Sequence, residues 1–202
     1  MITRRARTTL AITGATALAA GGLVAGGLMA RDRLSPPGPR PAFELPVACG
    51  ETWTLSTYPG HDPYDIDFYP TSGEIWGRPV LASFAGTVVD AGLNGSLGER
   101  TPDNPRGEQG RGGGYWVKID HGGRWETLYL HLLEPPLVEE GQRVERGDQL
   151  GRIGSTGNSS APHLHYEQLR AGDKVESHFA GVPAGITDDD REYAVKHKSA
   201  NC

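Results

Sequence analysis

The sequence predicts a single, mostly β domain built on an antiparallel sheet, with few short helices. Glycine and proline are abundant, at 29 and 15 of 202 residues, which favours short strands joined by turns. Several segments alternate apolar and polar residues and are separated by turn residues. No stretch has the apolar spacing of a long helix. A chain of this length has room for one globular domain with ordinary burial.

The first 30 residues are predicted to be a targeting segment. Arg4, Arg5 and Arg7 form a basic start, and residues 8–30 carry no charge and are rich in Ala, Gly and Leu. This pattern is typical of a secretory signal peptide or an N-terminal membrane anchor, and residues 8–30 could serve as a tether. The arginine pair resembles a twin-arginine signal, but the hydrophobic residue expected after it is absent. Export is therefore predicted, with both the route and the fate of the segment left open.

A proline-rich linker is predicted at residues 31–42, followed by a domain at residues 43–202. Four prolines in this short stretch favour a stiff, extended spacer. Cys49 and Cys202 are the only cysteines, and export would place them in an oxidising compartment. We therefore expect them to pair and to tie together the two ends of the domain.

Strands and turns can be assigned along most of the domain. Residues 86–91 follow a turn and read as a strand, and residues 115–120 and 125–132 read as the two arms of a hairpin. Residues 93–113 are polar and rich in Gly, Arg and Pro, which predicts a long surface loop that forms either a wall of a substrate cleft or a tolerated insertion. Residues 138–151 suggest short strands and tight turns, whereas residues 173–202 show no clear pattern.

Composition limits the classes of function. Charged residues make up 22% of the chain and hydrophobic residues 37%, as in a folded globular protein. The formal net charge is -5, and no basic stripe follows the N-terminus. Nucleic acid is therefore not expected as a partner.

Two histidines one residue apart provide the strongest sign of chemistry. His163 and His165 lie in a β-type segment, so strand alternation places both on one face and Leu164 on the other, toward the core. Neighbouring imidazoles suit a metal ion and a proton-transfer group better than packing. Further candidate ligands precede them in the chain: His61, Asp65, Asp67 and His131. A catalytic zinc takes three such ligands, so six candidates exceed its need.

An ordered set of short motifs resembles the lysostaphin/LytM-type zinc metallopeptidases. Gly60-His61 is followed by Ile66-Asp67-Phe68, and later segments are Gly77-x-Pro79-Val80, Asp120-His121-Gly122, residues 127–132, residues 154–158 and residues 162–167. The similarity covers about residues 49–170. It implies an antiparallel β fold of duplicated-hybrid-motif type with a groove, one Zn²⁺ ion, and hydrolysis of peptide bonds in peptidoglycan cross-links or stem peptides.

The resemblance also implies roles for individual residues. It makes His61 and His165 zinc ligands and gives the third position to an aspartate. The usual spacing would select Asp65, but the flanking Ile66 and Phe68 match the family context of the ligand, so we favour Asp67. Strand geometry alone does not decide, because the two aspartates lie on the same side.

His131 and His163 match the two histidines of the family that do not bind the metal. The chain has no His-Glu-x-x-His helix to supply a glutamate base. We therefore expect these histidines to take a proton from the zinc-activated water and to hydrogen-bond the oxyanion. Glu167 shares the strand face of His163 and His165 and could support a metal ligand from behind, but a surface ion pair is the expected arrangement. His121, His178 and His197 are expected in solvent.

Two other functions compete with hydrolysis. A catalytically inactive relative could bind the cell wall or activate another wall hydrolase, although all five candidate positions are filled here. Residues 141–151 also resemble the turns of biotinyl and lipoyl carriers, but no lysine lies between Lys118 and Lys174 to carry the group. The prediction is thus a secreted or envelope-associated zinc endopeptidase, expected as a monomer, that acts on peptidoglycan peptides.

Overall fold

A computed structural model describes residues 36, 38–188 and 191–202 of the chain. The targeting segment predicted at residues 1–30, with its tether at 8–30, lies outside the described residues, as do residues 31–35 and 37 of the predicted linker. The described residues form strands and turns without a helix, so the few short helices expected are not found there. They contain no helix that could cross a membrane.

Antiparallel strands account for the architecture, which confirms the predicted fold class. The described residues hold thirteen strands: β1 (Thr52–Thr57), β2 (Ile66–Pro70), β3 (Pro79–Leu81), β4 (Gly86–Gly98), β5 (Gln109–Asp120), β6 (Trp125–Leu132), β7 (Arg143–Val144), β8 (Gln149–Arg152), β9 (Leu164–Arg170), β10 (Asp173–Val175), β11 (His178–Phe179), β12 (Val182–Pro183) and β13 (Tyr193–Lys198).

One large sheet carries most of these strands. Its order is β13-β1-β2-β9-β6-β5-β4-β7, and β10 extends it by pairing with β9 beyond the start of β2. Two further pairs, β3 with β8 and β11 with β12, lie outside it. Segments from distant parts of the chain thus become neighbours, since β2 and β9 are adjacent.

The two faces of the sheet differ in chemistry because strand side chains alternate. On β9, Leu164 and Tyr166 lie in the core, which confirms the direction predicted for Leu164. On β2, Ile66 and Phe68 are fully buried in the same core. Asp67 therefore lies on the other face, opposite His165.

The prediction that residues 93–113 form a long loop is wrong. Just over half of these residues belong to β4 and β5, which form a long hairpin with residues 99–108 between them. Many side chains of this hairpin are exposed, so no apolar alternation marks its strands. Its polar composition is that of a solvated hairpin, and the ladder between β4 and β5 defines the strands.

The C-terminal segment without a clear pattern completes the sheet. β13 pairs with β1 over six residues, with Thr52 opposite Lys198. This register brings the start of β1 beside the end of β13, and Cys49 and Cys202 form the predicted disulfide with their Cα atoms 4.9 Å apart. The burial of β13 alternates along the strand, and Tyr193, Val195 and His197 are partly buried. His197 Nε2 lies 3.1 Å from the Ala184 carbonyl oxygen, so its assignment to solvent is wrong.

The last residues of the predicted linker lie on the domain. The Gly38 backbone donates to the Gly123 carbonyl, and the Trp125 indole donates to the Gly38 carbonyl. The Arg40 guanidinium lies 4.7 Å above the Trp125 ring and donates to Gln168 at 2.8 Å. These contacts attach the polypeptide at the Trp125 end of β6.

Removing the disulfide is expected to destabilise the domain without abolishing its sheet. The bond closes a loop of 153 residues, so replacing both cysteines by serine should lower the free energy of unfolding by about 2–5 kcal/mol. Urea unfolding of wild type and of the double variant measures the change. Reductant should destabilise only the wild type, and equal stability of the two proteins in the absence of reductant would contradict the prediction.

Candidate active site

Three donor atoms from separate parts of the chain meet on the polar face of the sheet. Asp67 lies on β2 and His165 on β9, directly opposite one another in the ladder, and His61 comes from the turn between β1 and β2. His165 Nδ1 lies 3.2 Å from Asp67 Oδ1 and 3.3 Å from His61 Nε2. His61 Nε2 and Asp67 Oδ1 are 3.7 Å apart. The structure thus brings together all three residues predicted to be metal ligands.

The spacing of these atoms fits a small tetrahedral cation. Bonds of about 2.0–2.2 Å in a tetrahedral zinc site place the ligand atoms about 3.3–3.6 Å from one another. Two imidazole nitrogens and one carboxylate oxygen form a donor set that suits Zn²⁺. The Asp67 carboxylate is buried, but hydrogen bonds and charge from His163 and His165 outweigh the burial and lower its pKa. The carboxylate is therefore in the ionised form that a metal requires.

The two aspartates occupy different sides of the His165 ring. Asp67 faces Nδ1, whereas Asp65 Oδ2 lies 3.3 Å from Nε2. Glu167 Oε1 lies 3.2 Å from the same Nε2. Glu167 is only 7% exposed, so the expectation of a surface ion pair was wrong.

His163 lies beside the three donors with one nitrogen held by the backbone. Its Nδ1 is 2.8 Å from the Ala161 carbonyl oxygen, which can only accept, so Nδ1 carries the proton. Its Nε2 is 3.3 Å from Asp67 Oδ1. The Tyr69 ring lies over the imidazole with centroids 5.9 Å apart.

A bulge in β6 delivers His131 to the same face. Tyr129 and Leu132 both lie in the core, and three steps of β6 match only two steps of β5 between these pairs. The extra residue is accommodated where His131 adopts a φ of 63°, in the left-handed region that a β-bulge uses. Strict alternation from Tyr129 would place His131 in the core. The bulge turns its side chain toward the cleft instead.

His131 is anchored in the same manner as His163. Its Nδ1 donates to the Thr156 carbonyl oxygen at 2.7 Å, which leaves Nε2 without a proton. Burial, reinforced by the nearby histidines, lowers the pKa of His131 to about 3, so the ring is neutral. The His131 and His163 ring centroids are 4.8 Å apart. One nitrogen from each of these rings and one from His165 lie within 4.8 Å of one another.

These side chains line an open cleft of about 430 Å³. Tyr58 stands at its rim, half exposed and stacked on the His61 ring at 4.6 Å. The other wall comes from Gln109 and Gly112 of the long hairpin together with Asn158. The predicted contribution of residues 93–113 to a cleft wall therefore rests on the β5 arm of the hairpin.

Close backbone contact between the hairpin and residues 154–160 supports His131. Gly157 has a φ of 77°, and a Cβ there would lie 2.3 Å from the Gly114 nitrogen. The Gly110 nitrogen donates to the Gly157 carbonyl, and the Asn158 nitrogen donates to the Gly112 carbonyl. Glycines in the hairpin and in residues 154–160 thus allow the close approach that places the Thr156 carbonyl next to His131.

Three histidines lie away from the cleft. His121 is held by the Ala85 carbonyl at 2.9 Å and by the Thr127 hydroxyl at 2.8 Å, so its assignment to solvent is wrong. His178 is half-buried in β11, so the same assignment is wrong there. His121, His178 and His197 therefore contribute to the packing of the domain and not to the cleft.

Lys174 is a charged residue of the site that the sequence analysis did not single out. Its ammonium lies 2.7 Å from the Asp65 carboxylate and 3.4 Å from Glu167 Oε1. It comes from β10, in the segment without a clear pattern, and reaches the site because Lys174 pairs with Leu169 of β9. Only the sheet register reveals it.

Two imidazoles and a carboxylate around one point, overlooked by two further imidazoles, define a site typical of metal-dependent hydrolases. The sequence profile of peptidase family M23 matches residues 65–177, which is more than half of the chain. The chain belongs to peptidase family M23.

Individual relatives and a solved structure are similar to this chain. The peptidoglycan DD-endopeptidase ShyA of Vibrio cholerae is 41% identical over 118 residues, which are 58% of this chain and 24% of ShyA. The DD-carboxypeptidase/endopeptidase Mpg of Neisseria meningitidis is 42% identical over 132 residues, or 65% of this chain and 24% of Mpg. The chain thus spans about a quarter of the length of these relatives.

The M23 metalloprotease pseudoalterin, from the deep sea, superposes with a TM-score of 0.53. The match covers 80% of this chain and 97% of pseudoalterin at 19% identity. This likeness shows that the two proteins share a fold.

A methyl group at Gly157 should destabilise the domain more than one at Gly122. The two glycines have φ values of 77° and 76°, but a Cβ at Gly122 meets nothing within 4 Å. Gly122→Ala should therefore cost only the strain of the left-handed backbone, about 1–2 kcal/mol. Gly157→Ala adds a backbone clash and should cost at least about 2 kcal/mol more. Urea unfolding compares the pair, and equal costs would contradict the close contact with Gly114.

Proposed function

We propose that this protein is an exported zinc metalloendopeptidase that hydrolyses peptide bonds in peptidoglycan cross-links or stem peptides. The single observation that carries the proposal is the group of His61 Nε2, Asp67 Oδ1 and His165 Nδ1, spaced 3.2–3.7 Å apart at an open cleft. Membership of peptidase family M23 supports peptide hydrolysis. Relatives named as peptidoglycan endopeptidases support the choice of substrate.

His61, Asp67 and His165 would hold the zinc ion. Asp67 is favoured over Asp65 because its Oδ1 faces both His61 Nε2 and His165 Nδ1, whereas Asp65 faces the opposite nitrogen of His165. Three protein ligands leave a fourth position for water or substrate, as catalytic zinc requires. When bound, zinc supplies a polarised carbonyl group and a water of lowered pKa.

His131 and His163 would handle the proton and the developing charge. The Nδ1–H of each ring is held by a backbone carbonyl, so Nε2 of each neutral ring would be an acceptor at the site, in place of the hydrogen bond that His163 Nε2 shares with Asp67 Oδ1. An Nε2 atom can accept a proton from water in the cleft and then donate a hydrogen bond to the oxygen that gains negative charge. The rigid anchoring of both rings keeps these atoms in place.

Export is part of the proposal. The arginines at positions 4, 5 and 7 and the uncharged run at residues 8–30 support a signal peptide or an N-terminal anchor. The Cys49–Cys202 disulfide agrees with an oxidising compartment. Peptidoglycan is an extracytoplasmic substrate, so the site and the leader support the same location. A monomer suffices, because the described residues of one chain supply every proposed ligand and both histidines.

Single histidine replacements should separate metal binding from chemistry. His131→Ala and His163→Ala are expected to retain one zinc ion and to lose about 10²–10⁴-fold in cleavage rate, because an acid–base or oxyanion contact is gone. His165→Ala should lose both zinc and cleavage. Metal analysis and release of peptides from purified peptidoglycan measure the two properties.

His197→Ala is the control for these variants, since His197 lies on β13 away from the cleft. It should retain zinc and activity. Digestion by His163→Ala at the wild-type rate would contradict the role assigned to this residue.

Purified peptidoglycans with different cross-bridges should reveal the bond that is cleaved. The protein is expected to release new amino termini from at least one of them. A chelator should abolish the release, and added Zn²⁺ should restore it. Identification of the new termini by mass spectrometry distinguishes bridge, cross-link and stem cleavage. Binding of peptidoglycan without any new terminus, by protein loaded with zinc, would favour the inactive binding module instead.

A further inference from the structure

The outward nitrogen of His165 faces two buried carboxylates. His165 Nε2 lies 3.2 Å from Glu167 Oε1 and 3.3 Å from Asp65 Oδ2. Asp65 is 3% exposed and Glu167 is 7% exposed, so neither carboxylate is solvated as a surface group would be. Burying two carboxylates is unfavourable unless each finds donors or a cation.

Lys174 supplies that cation. Its ammonium is 2.7 Å from the Asp65 carboxylate and 3.4 Å from Glu167 Oε1, and it also reaches Asp62 Oδ2 at 3.1 Å. β10 pairs with β9 just beyond the start of β2, which places Lys174 at the point where Asp65 and Glu167 meet. The cluster is thus built from three strands or strand ends and fills the space behind the His165 ring.

Hydrogen bonding on one side of an imidazole determines what the other side can do. An ionised carboxylate only accepts hydrogen bonds, so Nε2 beside Asp65 and Glu167 carries the proton. Nδ1 shares a hydrogen bond with Asp67 Oδ1, and on release of that proton it would present its lone pair to a bound metal. Acceptors behind a ligating histidine fix its tautomer and orientation and raise its basicity.

We propose that Asp65 and Glu167 are positioning residues that hold His165 with Nδ1 free for the metal, and that Lys174 keeps both carboxylates in place. The inference rests on the proposed function, because it assumes that zinc binds through His165. It gives Asp65, which directly precedes β2, a role distinct from that of Asp67 on the strand.

A second arrangement of the same atoms is possible in chemical terms. One oxygen each from Asp65 and Glu167 and one nitrogen of His165 lie within 4.8 Å of one another, as donors around a second metal would. The ammonium of Lys174 already compensates these carboxylates. We therefore expect one zinc ion per chain, and a second bound ion in the wild type would overturn the assignment.

Zinc affinity is the direct measure of this inference. Full-length wild type, Glu167→Gln and Asp65→Asn are stripped of metal and titrated with Zn²⁺ against a chromophoric chelator. Both variants should bind zinc about 10–100-fold more weakly, the effect typical of removing an outer hydrogen-bond partner of a ligand. Lys174→Met should also weaken binding, and Lys174→Arg should restore most of the loss.

Asp62→Asn is the matched control. Asp62 contacts the same lysine, but its side chain is 75% exposed and no contact joins it to His165. Its replacement removes one negative charge of the cluster and should change zinc affinity by no more than about threefold, because solvent screens it. An equal loss in Asp62→Asn and Glu167→Gln would show that net charge, rather than contact with His165, controls the affinity.

Spectra of the Co²⁺-substituted proteins provide a readout that a general loss of stability would not change. The visible bands of Glu167→Gln should shift relative to wild type, because the orientation and basicity of His165 change, while those of Asp62→Asn should not. Thermal unfolding of the metal-free proteins identifies a variant that fails to fold. If Asp65→Asn fails to fold, Glu167→Gln alone tests the proposal.

The outcomes distinguish the two proposals. A wild type that binds no zinc contradicts the proposed function. A wild type that binds one zinc ion, with unchanged affinity and unchanged Co²⁺ spectra in Glu167→Gln and Asp65→Asn, contradicts only the positioning role. Tighter zinc binding by Lys174→Met would overturn the part assigned to the lysine.

Discussion

The antiparallel pairing of β2 with β9 is the constraint on which the candidate site depends. It sets Asp67 opposite His165 and, because side chains alternate, buries Ile66, Phe68, Leu164 and Tyr166 on the reverse face. A slip of one residue would exchange the two faces and place the ionisable groups in the core. The apolar packing that stabilises the sheet therefore also holds the donor atoms together.

Irregular backbone supplies what regular strands cannot. A bulge turns His131 toward the cleft, and the glycines of the hairpin allow residues 154–160 to approach closely enough for Thr156 to hold that ring. His163 is held by the Ala161 carbonyl, which lies in the segment just before β9. Left-handed and bulged conformations are costly, and they persist where surrounding contacts determine them. Here those contacts are backbone hydrogen bonds between the hairpin and the loop before β9.

The same regions explain where sequence reasoning failed. The hairpin arms were predicted as a loop because their side chains are mostly solvated, so no apolar period marks them. Glu167 was assigned to the surface because charged residues are rarely buried without a partner. Its partner, Lys174, lies in a segment whose strands are short and whose pairing with β9 is not encoded in any local pattern. His121 is expected in solvent because it lies in a predicted turn, but its ring contacts the distant Ala85 carbonyl and the Thr127 hydroxyl on the return strand.

By itself, the sequence determined the β class, the shared face of His163 and His165, and the set of residues from which a metal site could be chosen, because alternation and residue chemistry are local properties. Its motifs also indicated the family. Only the tertiary structure decided that Asp67 and Asp65 lie on opposite sides of the His165 ring, and that His131 joins them through a bulge. Those distinctions depend on strand register and backbone irregularity, which arise when distant segments pair and which no single stretch of residues specifies.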